Sequence, residues 1–266
     1  MNAELSTLVP RRARGWRMGL ANMLAKEIFS WWRTRRWWVQ CLLWLVLLNG
    51  AVELNIMGDF PVSQAGMSFF LMAGLALPIA VVSLTQDSIL GERHAGTAAW
   101  VLSKPLRRPA FLLSKLIAYA LGFLVTGCLL PGAVLYLQLT LHGMQGIPVL
   151  GFAAALGLCF LNLLFYMTLT LMLATLFDGR GPILGISLGI LLTGLFCGLM
   201  PPTRLTHFLV EILPWRFMFL FGPDNPLAAL VATGAPLPTV IPLITILPWC
   251  LLFVGVAVWR IRREEF

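Results

Sequence analysis

One pentapeptide of the sequence could carry nucleophilic chemistry, because residues 185–189 read Gly-Ile-Ser-Leu-Gly and match the G-x-S-x-G pattern of serine hydrolases. That chemistry needs the serine on a strained turn and a histidine within hydrogen-bond reach. Ser187 is instead predicted to lie in an uninterrupted apolar helix. The histidines lie between the predicted helices, at His94, His142 and His207. A hydrolase that uses Ser187 is therefore kept only as a minor alternative.

Metal, disulfide and nucleotide chemistry are not indicated. The cysteines fall within apolar stretches, at Cys41, Cys128, Cys159, Cys197 and Cys250. They show no metal-ligand spacing and are expected to be small apolar packing residues. The sequence has no G-x-x-x-x-G-K-[ST] phosphate loop, so neither an ATP site nor any other cofactor site is predicted in this chain.

Polar residues within apolar helices usually mark the path of a transported ligand. The candidates are Gln40, Asn49, Glu53 and Asn162. Asn49 and Glu53 are four residues apart and share a helix face, which we assign to a possible substrate path. An acid at the bilayer centre costs about 2.5–3.5 kcal/mol, so Glu53 is expected near the outer rim. Because no ladder of buried charges is present, the sequence favours an apolar or amphipathic cargo over proton coupling.

The composition requires a lipid environment. Of the 266 residues, 59% are hydrophobic and 11% are charged, and the mean hydropathy is +0.87. A soluble domain has about 45–50% apolar and about 25% charged residues. The charges are unbalanced, with 19 Lys and Arg against 11 Asp and Glu and a net charge of +8. Such an excess fits a nucleic acid or a membrane surface, and its distribution along the chain decides between them.

Six membrane-spanning helices are predicted from the stretches that lack charged residues. A helix needs about 20 mainly apolar residues to cross a hydrocarbon core of roughly 30 Å. The uncharged stretch from 116 to 177 is too long for one crossing and is divided at a turn-like segment, residues 141–148. The predicted spans are 37–56, 65–84, 110–138, 147–176, 182–200 and 238–259.

Positive charge orients these spans. If the N-terminus is cytoplasmic, the cytoplasmic segments hold 17 of the 19 Lys and Arg residues, and only Arg204 and Arg216 fall outside. The positive-inside rule then places both termini in the cytoplasm of a multi-pass protein of the cell membrane, the inner membrane where a cell has two. The basic excess is thus an orientation signal, and no nucleic-acid partner is predicted.

Residues 1–36 are predicted to form a cytoplasmic tail that ends in an amphipathic helix in the inner interface of the lipid bilayer. Its polar stripe comprises Gly19, Asn22, Lys26, Ser30 and Arg33. Glu27 lies toward the apolar side and interrupts the pattern. The helix is either an ordinary basic membrane anchor or an anchor that also takes part in a mechanism.

The segment between the second and third spans is more structured than a connecting loop. Residues 87–94 can form a helix that runs into Gly96, which suits a left-handed C-terminal cap. Thr97 can then cap a second short helix, which Pro105 ends. We therefore predict a cytoplasmic helix-turn-helix elbow at residues 85–109, where a connection of about five residues would suffice.

One ordered pattern runs through the elbow into the third span: Glu92, Arg93, Gly96, Thr97, Leu102, Ser103, Pro105, Arg107, Arg108 and Lys115. It resembles the E-R-E-x-G-T, L-L-S-x-P, basic pair and lysine of ABC-2 type permeases, the membrane subunits of ATP-binding-cassette transporters. His94 stands where that family commonly has an acid, and Ser114 where a glycine often precedes the lysine. The six-span topology and the amphipathic helix also resemble those of this family.

The resemblance implies an all-α integral membrane protein in which the elbow is a coupling helix that docks on a separate ATPase. It assigns to this contact Glu92, Arg93, His94, Gly96 and Thr97. Two ATPase subunits, which bind the ATP and Mg, would work with two permeases, identical or homologous, in export of a substrate. The elbow and headgroup contacts are assigned to Lys104, Pro105, Arg107, Arg108 and Lys115, each cation near an anionic leaflet being worth about 1 kcal/mol.

Gly181, Gly185 and Gly189 recur every fourth residue in the fifth span. Small residues on one stripe let helices approach closely, either within one subunit or, as the resemblance implies, at the face between two permeases. Residues 201–237, predicted to be extracellular, are apolar and broken by prolines. They form either short re-entrant helices buried in protein or a segment whose aromatic residues lie in the interface.

Residues 37–266 are thus predicted to form one six-helix ABC-2 type transmembrane domain. The predicted function is that of a permease subunit, not an enzyme. A membrane scaffold or assembly subunit without transport activity is the alternative, and the elaborate elbow argues against it.

Overall fold

The computed structural model of the chain describes residues 19–94, 107–144, 146–199, 203–221 and 225–263, without the side chains of Arg36, Arg93 and His94. Within these ranges all the regular secondary structure is helical, which confirms the predicted all-α class. Gly96, Thr97, Lys104 and Pro105, and with them most of the predicted elbow, lie outside the described residues.

The described ranges form ten helices, numbered here in chain order. They are α1 Leu20–Arg33, α2 over residues 36–57, α3 Val62–His94, α4 Arg108–Leu141, α5 Val149–Leu176, α6 Arg180–Leu199, α7 Arg204–Ile212, α8 Trp215–Met218, α9 Leu227–Ala232 and α10 Ile241–Arg263. Six of them, α2 to α6 and α10, are long and apolar enough to cross a membrane. They correspond to the six predicted spans.

α3 extends well beyond the second predicted span, 65–84. Its 33 residues make a helix of about 50 Å, whereas the hydrocarbon core is roughly 30 Å thick. Residues 87–94, predicted as the first helix of the elbow, are helical but continue α3 without a break. Gly91 is the one helix-weakening residue in this stretch, and its cost of about 1 kcal/mol does not end a helix.

α2 and α4 each contain one turn of π-helix, Leu45–Asn49 in α2 and Leu124–Leu129 in α4. In α4 the widened turn comes just before Pro131, which has no N–H to donate to the carbonyl one turn back. Each π turn packs against the other helix of the pair. The two irregular turns therefore lie at the contact between α2 and α4.

α5 forms the centre of the bundle. It packs against α3, α10, α9 and α6, and its buried residues include Phe165, Tyr166 and Met167. The most apolar windows of α4 and α5 are 50% buried, whereas those of α6 and α10 are 22% buried. The described spans thus form an inner group, α3, α4 and α5, and three flanking helices, α2, α6 and α10, whose apolar surfaces are mostly exposed within the subunit.

The segment between α6 and α10 contains short helices, as predicted, and its second half is buried in protein. The indole of Trp215 lies over Gly194 of α6, where a Cβ atom would be only 2.5 Å from the ring. Phe217 and Met218 are fully buried, as are Leu227 and Ala228 of α9. α8 and α9 are therefore buried in protein, which is what the re-entrant alternative requires of them.

α7 behaves differently from α8 and α9. It begins with a capping box between Thr203 and Thr206 and leaves Leu205 and Phe208 exposed, 66% and 60% respectively. Such an amphipathic helix suits the membrane interface. The carboxylate of Glu211 at its end accepts hydrogen bonds from Arg216 and from Thr239, and so ties α7 to α8 and to the segment before α10.

Candidate functional site at the predicted cytoplasmic end

The amphipathic helix α1 is docked on α4. Trp31, 7% exposed, lies against Gly122, where a Cβ atom would be 2.5 Å from its ring. Its ring makes edge contacts with Tyr119 and Phe123, at centroid distances of 5.2 and 5.7 Å. Glycine at position 122 therefore provides the space into which the indole fits, and α1 packs on the protein as well as on the predicted membrane surface.

A buried cluster of three charged residues lies beside this contact. The Nζ atom of Lys115 in α4 is 2.8 Å from Glu92 Oε1 at the end of α3 and 3.4 Å from Glu27 Oε1 in α1. The side chain of Lys115 is 3% exposed, and those of Glu27 and Glu92 are 13% and 21% exposed. We call Glu27, Glu92 and Lys115 the charge cluster.

The charge cluster joins three helices at one point. An ammonium group has three N–H donors, so Lys115 can serve both carboxylates at once. A charge largely excluded from water is tolerated only when it is paired, and removing one member of such a group is costly. The cluster therefore fixes the position of α1 and of the last turn of α3 relative to α4.

The positions of Lys115 and Glu27 add to what the sequence indicates. The side chain of Lys115, predicted for elbow or headgroup contacts, is buried and bonded to a carboxylate at the end of α3, from which the chain continues into the predicted elbow. Glu27, which interrupts the apolar side of α1, faces Lys115. An acidic residue on the apolar side of an amphipathic helix indicates that a basic residue of a neighbouring helix lies opposite it, and Glu27 shows this pattern in the sequence.

Three further arginines, Arg107, Arg108 and Arg180, lie near this end of the bundle. The Nη1 atom of Arg108 donates to the carbonyl oxygens of Ile261 and Arg262 at 3.1 and 3.3 Å, and so caps the last turn of α10. Arg107 is exposed. Arg180 pairs with Asp87 at 3.0 Å between α6 and α3, but both side chains are at least half exposed, which makes the pair weak.

The polar pair predicted for a substrate path lies at the opposite end of the bundle and faces α4. Gln138 Nε2 donates to Glu53 Oε2 and to the backbone carbonyl of Asn49, both at 3.2 Å. His142 Nε2 is 3.4 Å from Glu53 Oε1, and the Glu53 side chain is 34% exposed. Glu53 thus lies toward a rim, and Asn49 is 4% exposed inside the subunit.

The glycines of α6 fall into two groups. A Cβ atom at Gly181, Gly185 or Gly189 would meet nothing within 4 Å, whereas Gly194 lies against Trp215 and Gly198 against the backbone carbonyl of Leu220. The first half of the helix therefore presents its glycines to the outside of the subunit. The second half uses them for close packing within the subunit.

Ser187 has no catalytic surroundings. It is fully buried, and its Oγ atom is 3.3 Å from Thr170 Oγ1 of α5. Ser187 lies within the uninterrupted helix α6, as predicted. The hydroxyl of Thr170 is its hydrogen-bond partner and joins two helices. A hydrolase would need a base, such as a histidine, in the position that Thr170 occupies.

Comparison with protein families agrees with this architecture. A family model described as ABC-2 family transporter protein matches residues 21–266, which include every described helix except the first residue of α1. The chain therefore belongs to the ABC-2 transporter family. Among curated proteins no match was found.

Proposed function

We propose that this chain is the permease subunit of an ABC-2 exporter that is driven by ATP hydrolysis on a separate subunit. The observation that carries the proposal is the helix α3, which continues without interruption from the membrane to His94 and is tied at Glu92 to α1 and α4. ATP and Mg would be bound by two copies of the partner ATPase, and this chain would perform no catalysis itself.

The proposed coupling contact lies just beyond this tie. Glu92, Arg93 and His94 form the last turn of α3, and the sequence continues to Gly96 and Thr97. A push on this segment by a closing ATPase dimer would act on a rigid rod. Because Lys115 holds the end of that rod, α1 and α4 would move with it as one packed unit.

A second permease, identical or homologous, is proposed to pack on the first half of α6. Gly181, Gly185 and Gly189 have open space at their Cβ positions, and the helix is largely exposed within one subunit. Close helix contact through small residues is a common way to join helices in lipid. Gly194 and Gly198 are excluded from this face because they pack inside the subunit.

The proposed setting is the cell membrane, with both termini in the cytoplasm. Lys104, Arg107 and Arg108 would then lie at the level of the inner headgroups, with Arg108 already bonded to the end of α10. An apolar or amphipathic cargo remains the proposed substrate class. Asn49 and Glu53 keep their proposed place on the substrate path, with Glu53 at its outer end.

The decisive experiment measures the ATPase activity of the co-purified complex in lipid nanodiscs, with two substitutions of one residue. Gly91→Pro removes a backbone donor and breaks the end of α3, at a cost of about 3 kcal/mol. Gly91→Ala keeps the helix, because a Cβ atom there would meet nothing within 4 Å. We expect Gly91→Pro to lose the stimulation of ATPase activity by the permease and Gly91→Ala to keep it.

A double substitution tests the end of α3 together with the segment beyond it. Glu92→Arg, which also removes the ion pair with Lys115, combined with Gly96→Pro should abolish the stimulated activity while the permease remains inserted in the membrane. Survival of the stimulated activity would show that the coupling assignment is wrong. Failure of any ATPase to co-purify with the tagged chain would contradict the proposed function and favour a scaffold.

A further inference from the structure

A cavity of about 340 Å³ opens at the predicted outer end of the subunit, among α3, α4, α5 and α9. Its interior wall is apolar and includes Met67, Phe70 and Phe152, the last two being at least 95% buried. Its rim is polar and includes the exposed residues Gln64, Asn225 and Thr233. The cavity is thus apolar inside and hydrogen-bonding at its mouth.

The size of this cavity lies within the range of small-molecule sites. Such sites are clefts or cavities of about 300–1,000 Å³. Apolar walls with a few polar groups at one end are the usual lining of such a site. The methionine in the wall is flexible and polarisable, which lets a site accept apolar bodies of different shapes.

The lining also limits the charge of an occupant. Among the described residues that line the cavity, none is Asp, Glu, Lys, Arg or His. A charged group would lose its hydration there without gaining a partner of opposite charge. The amides of Gln64 and Asn225 can each donate and accept hydrogen bonds, and the hydroxyl of Thr233, which donates to backbone carbonyls of α9, can accept one, so the rim suits a neutral polar group.

We propose that this cavity is a binding site for an uncharged amphiphile, with its apolar body against Phe70 and Phe152 and its polar end at the rim. The amphiphile would enter from the outer side of the membrane. The site belongs to a single subunit, and Gly181, Gly185, Gly189 and the charge cluster are not among its lining residues. Binding at this site therefore requires neither the ATPase nor the second permease.

The test uses the full chain in nanodiscs and a neutral fluorescent probe, N-phenyl-1-naphthylamine, excited directly and corrected for its signal in empty nanodiscs. Met67→Trp fills the cavity from α3, and Ala229→Leu fills it from α9. Met72→Trp is the matched control, because Met72 lies on the same helix as Met67 and is 45% exposed outside the cavity. Each variant is first checked for a monodisperse chromatographic peak.

We expect saturable binding by the wild type and by Met72→Trp, and affinity lower by at least about tenfold in whichever cavity-filling variant remains folded, because the new side chain occupies the probe's volume. The anionic analogue 8-anilino-1-naphthalenesulfonate should bind at least about tenfold more weakly than the neutral probe.

The proposal is overturned if the wild type shows no saturable binding, if Met67→Trp or Ala229→Leu binds like Met72→Trp, or if the anionic analogue binds as well as the neutral probe. The assay contains no ATPase, so these results are independent of the coupling experiment.

Discussion

Lys115 at the start of the third membrane helix forms an ion pair of 2.8 Å with Glu92 at the end of the second, and this pair joins the two helices between which the elbow is predicted. The same ammonium reaches Glu27 of α1 at 3.4 Å. One buried cation therefore decides the relative positions of three helices. Its importance to the fold and its importance to coupling can be separated by experiment.

Substitution of Lys115 by Met is expected to lower the free energy of unfolding by about 3 kcal/mol or more, because it removes the buried cation that bonds two largely buried carboxylates. Lys26→Met is the matched control, since Lys26 is 56% exposed and lies 4.0 Å from the same Glu27. An exposed pair of this kind contributes at most about 1 kcal/mol. Thermal unfolding in nanodiscs measures both variants, and equal midpoints for the two would contradict the buried cluster.

Gly122→Ala should displace α1 from α4. The added methyl group would lie 2.5 Å from the Trp31 ring, and overpacking of this kind costs about 1–3 kcal/mol. Gly157→Ala is the control, because a Cβ atom at that position meets nothing within 4 Å. Limited proteolysis near residue 34 reports the docking of α1. Faster cleavage is expected for Gly122→Ala alone, and equal rates for both variants would show that Trp31 does not hold α1 in place.

Gly185→Leu should reduce pairing of permeases without unfolding either one. The new side chain points into open space within one subunit but would keep a second helix away. Gly255→Leu adds the same side chain at another open position, on α10. Native mass spectrometry of the two variants should show a loss of dimer for Gly185→Leu only. A dimer that persists at wild-type abundance would assign the pairing to another face.

The orientation is tested by cysteine labelling in intact cells. Asn225, an exposed residue just before α9, lies at the predicted outer end, and His94 lies at the predicted cytoplasmic end of α3. A cysteine at position 225 should react with an impermeant maleimide, and one at position 94 should react only after lysis. The unmodified chain, whose cysteines all lie within α2, α4, α5, α6 and α10, serves as the background. The opposite labelling would reverse the topology.

The membrane helices were predictable because the hydropathy of a stretch depends only on its own residues and not on its contacts with the rest of the chain. Each predicted span overlaps one observed helix, and the errors occur at the ends, as in α3. There the sequence shows no stop signal after residue 84, so the extension to His94 could be recognised as helical but not as part of the span. The first charged residue after an apolar stretch, Asp87 in α3, indicates where the lipid-facing part stops. The helix itself continues to His94.

The charge cluster could be predicted only in part. Lys115 and Glu92 were found through the family pattern, but a pattern does not specify that an ammonium group is buried or which carboxylates surround it. Glu27 is 88 residues away from Lys115, and only packing brings them together. The same limit applies to the cavity, because Met67, Phe152 and Thr233 come from three separate segments and have no shared spacing.

The sequence positions of the charge cluster also determine when it can form. Glu27 is synthesised 88 residues before Lys115, and Glu92 is synthesised 23 residues before it. Throughout the insertion of the first two membrane helices, both acids therefore lack their buried partner, and α1 is held by its apolar side alone. The contacts that join α1, α3 and α4 in the charge cluster can therefore be completed only after the third membrane helix has been synthesised.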